Sequence, residues 1–272
     1  MSRIAQRFEE LACSGEGALV PFIVAGDPDM DTTLRVMAAL TAAGADVLEL
    51  GVPFSDPLAD GPVNQAAYNR ALRSGATVEG VLALVARFRA ESDAPVVLMT
   101  YSNPIAQYGW DKFAGAAAQS GVDGVLVTDL PPEEAEVWLP QARAASLDTI
   151  FLLAPTSPDD RIALVSQLAT GYVYCVSRLG VTGARDQLPP EARRLVERVR
   201  AKVDIPVVVG FGISRPEQVR AVCGFAEGAV VGSALVSLIA EQGTKAGLEQ
   251  AVTDFTVSLK KAAAARVADS GV

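Results

Sequence analysis

Two acids bracket the stretch Glu49-Leu50-Gly51-Val52-Pro53-Phe54-Ser55-Asp56-Pro57-Leu58-Ala59-Asp60-Gly61-Pro62. The run that leads into it, residues 45–52, is apolar on both sides of Glu49 and predicts a strand covered on both faces. A carboxylate inside such a strand sheds much of its hydration and gives the chain no structural return. Asp60 lies at the far end of a Pro/Gly-punctuated loop that begins where the strand stops. Burial moves carboxyl pKa values towards the working range, so a strand-end acid facing a loop acid suits proton transfer in a closed pocket. The competing reading of Glu49 is a structural carboxylate paired with a buried Arg. Asp60 taken alone is an ordinary Asp-Gly turn signal.

The chain contains no histidine among its 272 residues. That removes His-based triads, histidine general bases and His-ligated metal sites. Acid–base chemistry falls to Asp, Glu, Tyr, Lys, Cys or water. The formal charge of −9 argues against nucleic acid or an anionic membrane surface as partner. A small anionic substrate therefore needs a local basic or amide-lined site. Cys13, Cys175 and Cys223 stand far apart with no CxxC spacing, which suits a reduced cytoplasmic protein. The first ten residues are amphipathic at helical spacing and lack a signal-peptide core, and no apolar run is long enough to span a bilayer.

Short Val/Ile/Leu-rich runs recur along the chain and must position these acids. The predicted strands are Ala18–Val24, Asp46–Val52, Pro95–Tyr101, Gly124–Thr128, Thr149–Ala154, Tyr172–Ser177, Pro206–Gly210 and Gly228–Gly232. Helical patterns lie between them at Met30–Ala43, Val78–Ala90, Trp110–Ser120, Pro132–Ala145, Asp159–Thr170, Pro190–Lys202 and Arg215–Gly224. Near-continuous apolar strands alternating with helices imply a parallel sheet with both faces covered. Eight such units in a chain of this length predict a single (β/α)8 TIM-barrel domain over residues 1–272, with extra N-terminal and C-terminal helices at Ile4–Ala12 and Leu248–Ala268. The alternative is an open doubly wound sheet, but no strand–GxGxxG–helix unit opens the chain. In a barrel the chemistry sits on loops at the C-terminal ends of the strands, which is where Glu49 and Asp60 fall. Asp46, Asp123 and Asp148 stand at or before strand starts and read as solvated residues of the opposite face.

Three glycine-bearing segments follow the last three strands: Gly180–Arg185, Gly210–Ser214 and Gly232-Ser233-Ala234. Glycine lets backbone N–H groups approach an anion, Ser233 can donate a hydroxyl at a helix start, and phosphate sites in barrels use these same loops. Each segment alone also reads as a tight turn. The Gly180–Arg185 loop is long enough to act as a lid. Phe22, Met99, Tyr101, Leu126, Leu152, Tyr174 and Phe211 are candidates to line a pocket for a flat ring, or else plain core. An apolar end, two carboxylates and a phosphate clamp suit a phosphorylated small molecule that carries an apolar or aromatic group.

The Glu49–Pro62 segment, with Ser177-Arg178 and Gly180-Val181-Thr182-Gly183, resembles the tryptophan synthase α subunit family. Pro21-Phe22, Tyr101-Ser102-Asn103-Pro104, Asp129-Leu130-Pro131, Gly210-Phe211-Gly212-Ile213-Ser214 and Gly232-Ser233-Ala234 agree with it, in one register from about Arg7 to about Ala240. The resemblance implies a lyase that splits indole-3-glycerol phosphate into indole and glyceraldehyde 3-phosphate. It assigns Asp60 to the indole N–H and Glu49 to the glycerol hydroxyl beside the scissile bond. It assigns Gly183, Gly212, Gly232 and Ser233 to the phosphate, Phe22, Tyr101, Tyr174 and Phe211 to the ring and side chain, and Thr182 to lid closure over Asp60. Asp56 and Pro57 would lie in a loop that reports to a pyridoxal-phosphate-dependent β subunit within an αββα heterotetramer. No metal or organic cofactor is implied in this chain itself. Thr128 stands where a smaller residue is expected and Met99 where Leu is usual.

Two other functions fit the same chain. One is a non-catalytic activator of the β subunit, against which the presence of both Glu49 and Asp60 speaks. The other is a free-standing indole-releasing lyase. An isomerase of a sugar phosphate is a more distant reading that the Pro-Phe-Ser-Asp-Pro loop disfavours.

Overall fold

The computed structural model describes residues 1–176, 189–210 and 212–265. Ser177, Arg178, the Gly180–Arg185 lid with Thr182 and Gly183, Phe211, and the end of the predicted C-terminal helix lie outside the described residues.

The chain runs α1 (Arg3–Ser14), β1 (Ala18–Val24), α2 (Met30–Ala42), β2 (Leu48–Gly51), α3 (Pro62–Arg73), α4 (Val78–Arg89), β3 (Val96–Thr100), α5 (Ser102–Tyr108) and α6 (Trp110–Ser120). It continues through β4 (Gly124–Val127), a 3-10 turn (Pro132–Val137), α7 (Leu139–Ala144), β5 (Asp148–Leu153), α8 (Asp159–Leu168) and β6 (Val173–Val176). The last elements are α9 (Pro190–Arg200), β7 (Val207–Gly210), α10 (Pro216–Cys223), β8 (Gly228–Val231), α11 (Ser233–Gln242) and α12 (Leu248–Ala264). All neighbouring strands pair in parallel, and β1 pairs with β8 to close the barrel. The predicted barrel with its two terminal helices is the observed fold.

Local chemistry sets the helix starts. The Ser2, Asp29 and Thr77 side chains accept from Ala5, Thr32 and Gly80 N–H groups at the starts of α1, α2 and α4. Proline, which lacks the donor a first turn cannot use, opens α3, α9 and α10. Alternate strand residues divide between two regions. Val20, Phe22, Val97, Met99, Leu126, Ile150, Tyr172, Tyr174, Val208 and Val230 fill the barrel, while Ile23, Leu50, Leu98, Val125 and Val209 pack outward under the helices.

The added N-terminal helix works as a plug. Ile4, Phe8 and Leu11 of α1 are buried with the barrel interior, and the Phe8 and Tyr172 rings lie 6.0 Å apart. Each such side chain contributes about 1.5–3 kcal/mol on burial. A side chain at Gly124 would lie 2.8 Å from Ile150 and 3.1 Å from Ile4, so glycine is needed where the plug meets β4. The plug covers the N-terminal ends of the strands, the face opposite to the loop that carries Asp60.

Three expectations require correction. Asp46, Asp123 and Asp148 are buried, not solvated. Asp46 accepts from Leu19 N–H, Arg7 and Lys260, and Asp123 accepts from Val96 N–H, Arg3 and Arg89. These acids fasten the plug and the outer helices to the strand starts, and the position rule for barrels could not reveal such partners. The helix predicted over Pro132–Ala145 is broken into the 3-10 turn and α7, with Pro140 in the first turn of the second piece. α11 was anticipated only by the helix start at Ser233, and two further helices, α3 and α5, were not predicted at all. Both lie in segments rich in Pro and Asn that read as loops.

Candidate active site

Glu49 stands on β2 in register with Phe22 of β1 and Val97 of β3, and its side chain is inside the barrel with no exposure. Tyr172 Oη donates to Glu49 Oε1 at 2.5 Å. Glu49 Oε2 is buried and has no hydrogen-bond partner among the described residues. Desolvation pushes the carboxyl pKa up to about 7, against the opposing bond from Tyr172. Among the described residues the partner of Glu49 is a phenol and not the buried Arg of the competing reading. A carboxyl with one tethered oxygen, one open oxygen and a pKa near neutrality can both give and take a proton.

Asp60 ends the loop after β2 and is 3 % exposed. Tyr101 Oη, at the end of β3, donates to its Oδ2 at 2.6 Å, and Asn64 Nδ2 on α3 donates to Oδ1 at 3.0 Å. Gln65 Nε2 holds the Asp60 carbonyl at 2.8 Å, and Ala59 N–H donates to Tyr101 Oη at 3.2 Å. Burial raises the Asp60 pKa, while the bonds from Tyr101 and Asn64 pull it back. Tyr68 Oη makes no hydrogen bond of good geometry, yet it lies near enough to Asp60 to lower that pKa too. The two acids therefore differ in kind: Glu49 is poised to exchange a proton, and Asp60 is a braced acceptor.

Aromatic and apolar side chains wall the space around them. Phe22, Met99, Tyr101, Leu126 and Tyr174 are buried inside the barrel and Leu152 is half-buried. The Tyr174 phenol is held far above its ordinary pKa, first by desolvation and then by the charges of Glu49 and Asp60. A Cβ on Gly210 would come within 2.0 Å of Tyr174 Oη and 2.5 Å of its ring. Gly210 therefore leaves the room that this ring occupies. Gly210→Ala is expected to displace Tyr174, cost about 1–3 kcal/mol of stability and raise KM for substrate. Denaturant unfolding and steady-state kinetics check it, and an unchanged KM would count against a site role for Tyr174.

On the neighbouring strand end, after β8, Gly232 precedes α11 without a side-chain cap, and a Cβ there would meet Phe22 at 3.3 Å. Ser233 is the first residue of α11, so its hydroxyl and the first-turn N–H groups stand at a positive helix end suited to an anion. Gly212 has φ 78°, a left-handed conformation that glycine tolerates best. Thr182, Gly183 and Phe211 lie outside the described residues. In the loop after β2, Asp56 is exposed, Pro57 is buried, and the apolar residue that faces solvent is Leu58, 88 % exposed.

Sequence reasoning missed Tyr172, Tyr68 and Asn64. Tyr172 carried a usable signal: a phenol placed inward in an apolar strand needs an acceptor, and Glu49 is the acid of another strand. Asn64 and Tyr68 fell on a helix that was not predicted. Among the described residues no group of three or more metal-ligating side chains occurs, and no helix is long and apolar enough to cross a membrane.

Comparison with known proteins bears on this arrangement. Residues 8–267 match the family described as tryptophan synthase alpha chain. A tryptophan synthase alpha chain from Pelobacter propionicus is 50% identical over 262 residues, covering 96% of this chain and 98% of the relative. One from Burkholderia multivorans is 51% identical over 267 residues, with 97% and 98% covered. The crystal structure of tryptophan synthase subunit alpha from Legionella pneumophila superposes with a TM-score of 0.89 at 39% identity, over 96% of this chain and 98% of that one. The closed barrel, the matched length and these identities together show that the chain belongs to the tryptophan synthase alpha chain family.

Proposed function

We propose that the chain performs the lyase reaction of tryptophan synthase, the retro-aldol cleavage of indole-3-glycerol phosphate to indole and glyceraldehyde 3-phosphate, with Glu49 and Asp60 as its catalytic residues. The observation that carries the assignment is the contrast between them. Glu49 is fully buried, keeps one oxygen open and titrates at about 7, whereas Asp60 is pinned through both oxygens.

The chemistry follows from that contrast. Protonated Glu49 delivers its proton to indole C3, which turns the ring into an electron sink. Asp60 accepts the ring N–H and stabilises the cation that results. Glu49, now a carboxylate, removes the proton of the hydroxyl on the carbon attached to C3. The O–H electrons form the aldehyde carbonyl, the C–C bond breaks, and its electron pair returns to the ring and neutralises the nitrogen. Gly183, Gly212, Gly232 and Ser233 hold the phosphate, Phe22, Tyr101, Tyr174 and Phe211 pack the ring and side chain, and Thr182 closes the lid over Asp60.

The family acts with a β subunit. We infer an αββα heterotetramer in the cytoplasm, with pyridoxal phosphate carried by the β subunit and none in this chain. The loop of Asp56 and Pro57 faces the partner, and the exposed Leu58 beside them supplies an apolar contact. Mixing the purified chain with indole-3-glycerol phosphate, with and without a tryptophan synthase β subunit, tests the reading. Slow indole release that rises sharply with the partner is expected. Fast release that the partner leaves unchanged would indicate a free-standing lyase. No release in either case would leave a binding role only.

A further inference from the structure

Among the described residues five buried polar side-chain atoms lack a hydrogen-bond partner: Glu49 Oε2, Asn64 Oδ1, Tyr68 Oη, Thr128 Oγ1 and Asp148 Oδ2. The first four stand at the open end of the barrel, where Asp148, at the start of β5, does not. Buried polar groups are partnered in at least about nine cases of ten, so orphans gathered in one place mark a surface that a ligand completes. Two of them, Asn64 and Tyr68, lie one turn apart on α3 and therefore on one face of it.

That face is turned to Asp60. Asn64 donates to Asp60 Oδ1. Tyr68 is fully buried, and its Oη is 3.0 Å from where a Cβ on Gly51 would stand, two residues beyond Glu49. Both Asp60 and Glu49 act on the Tyr68 phenol through their charge. The helix that presents the pair is itself anchored: Arg70 donates twice to Asp27, at 2.8 and 2.7 Å, and Ser74 Oγ donates to Gly26 O at 2.9 Å. Asn64 occupies the third position of α3, from which a polar side chain commonly reaches back to cap the helix start. It does not do so here; its Oδ1 is an orphan and its donor is spent on Asp60.

We propose that Asn64 is a positioning residue that holds the Asp60 carboxylate as a fixed anionic acceptor for the indole N–H, with the Tyr68 phenol as a second, supporting donor beside it. The inference rests on the assignment of Asp60 above. Asp60 sits on a loop, and a carboxylate there rotates unless both oxygens are tied. Tyr101 ties Oδ2 and Asn64 ties Oδ1, and a carboxylate with about four acceptor sites still has capacity for the ring N–H. Tyr68 adds a buried donor that can turn to the same charge.

The test measures binding of two non-cleavable ligands to the full chain by calorimetry: an indol-3-yl alkyl phosphate and its benzofuran-3-yl counterpart, in which oxygen replaces the N–H. The unaltered chain is expected to prefer the indolyl ligand about tenfold or more. Asn64→Leu, of similar size but without a donor, should weaken the indolyl ligand about tenfold and the benzofuranyl ligand less than about twofold. Tyr68→Phe should erode the same preference by a smaller factor. If Asn64→Leu folds poorly, Asn64→Ala carries the same comparison. A variant that keeps the full preference, or weakens both ligands alike, overturns the positioning role while leaving Asp60 in place. No preference in the unaltered chain overturns the Asp60 assignment itself, and this inference with it.

Discussion

Glu49→Gln should lower kcat for indole release by about a thousandfold or more while leaving an indolyl phosphate ligand bound nearly as before. Gln keeps the shape and can still accept from Tyr172 Oη, so the tether at 2.5 Å is preserved and only the proton exchange is lost. The same variant should gain stability at alkaline pH. An acid that titrates at about 7 in the folded chain and near 4.5 when unfolded binds its proton more tightly in the fold. Between those values the unfolded state has lost the proton and the folded state has not, so stability falls as pH rises and the full penalty is present above about 7. The gap corresponds to about 3 kcal/mol at about 1.4 kcal/mol per pH unit. Denaturant unfolding of Glu49→Gln and the unaltered chain should therefore diverge at about pH 8 and converge near about pH 5. Activity above about a tenth of the unaltered rate would remove Glu49 from the chemistry. Curves that stay parallel at every pH would show that its carboxyl is not desolvated as the structure has it. Function placed at a cost to stability is the pattern expected of a buried catalytic acid.

Legibility followed the range of the interactions involved. The eight strands showed because each is an apolar run, and Glu49 stood out because a charge interrupts one of them. Asp60 became informative only beside Glu49, since the Asp-Gly step that carries it is a common turn. The glycine of Gly210 was legible as a turn residue, but its tie to Tyr174 is a contact between neighbouring strands that no local pattern encodes. Tyr172, Asn64 and Tyr68 were missed for the same reason. Their roles depend on partners across the barrel or on a helix whose polar composition hid it. The acids at the strand starts were misjudged in the opposite direction: position suggested solvent, and the added terminal helices, which pair with Asp46 and Asp123, act through contacts between distant parts of the chain.

Asp46 makes that last point measurable. Its side chain has no exposure, and it is shared by three elements. Oδ1 accepts from Arg7 Nη2 of α1 at 2.6 Å, and Oδ2 accepts from Leu19 N–H of β1 at 2.7 Å and from Lys260 Nζ of α12 at 3.0 Å. Asp46→Ala would leave a buried N–H without its acceptor and take the shared carboxylate from two cations, of which Arg7 retains Glu10 at 2.9 Å and Lys260, only 16 % exposed, retains Glu16 at 3.2 Å. Removing one partner from a buried pair costs about 3–5 kcal/mol, a large share of the about 5–15 kcal/mol that holds a domain folded. Asp46→Asn, which can still accept from Leu19 N–H, should lose less. Lys260→Met should lose least, because Arg7 remains to balance the carboxylate. Because all three changes lie at the sealed end of the barrel, kcat of the folded fraction should be unaltered at low temperature. Urea midpoints in that order, with activity retained below the transition, would locate the role of Asp46 in joining the terminal helices to the barrel. A loss under about 1 kcal/mol for Asp46→Ala would mean that the apolar plug of Ile4, Phe8 and Leu11 holds α1 in place without the charge.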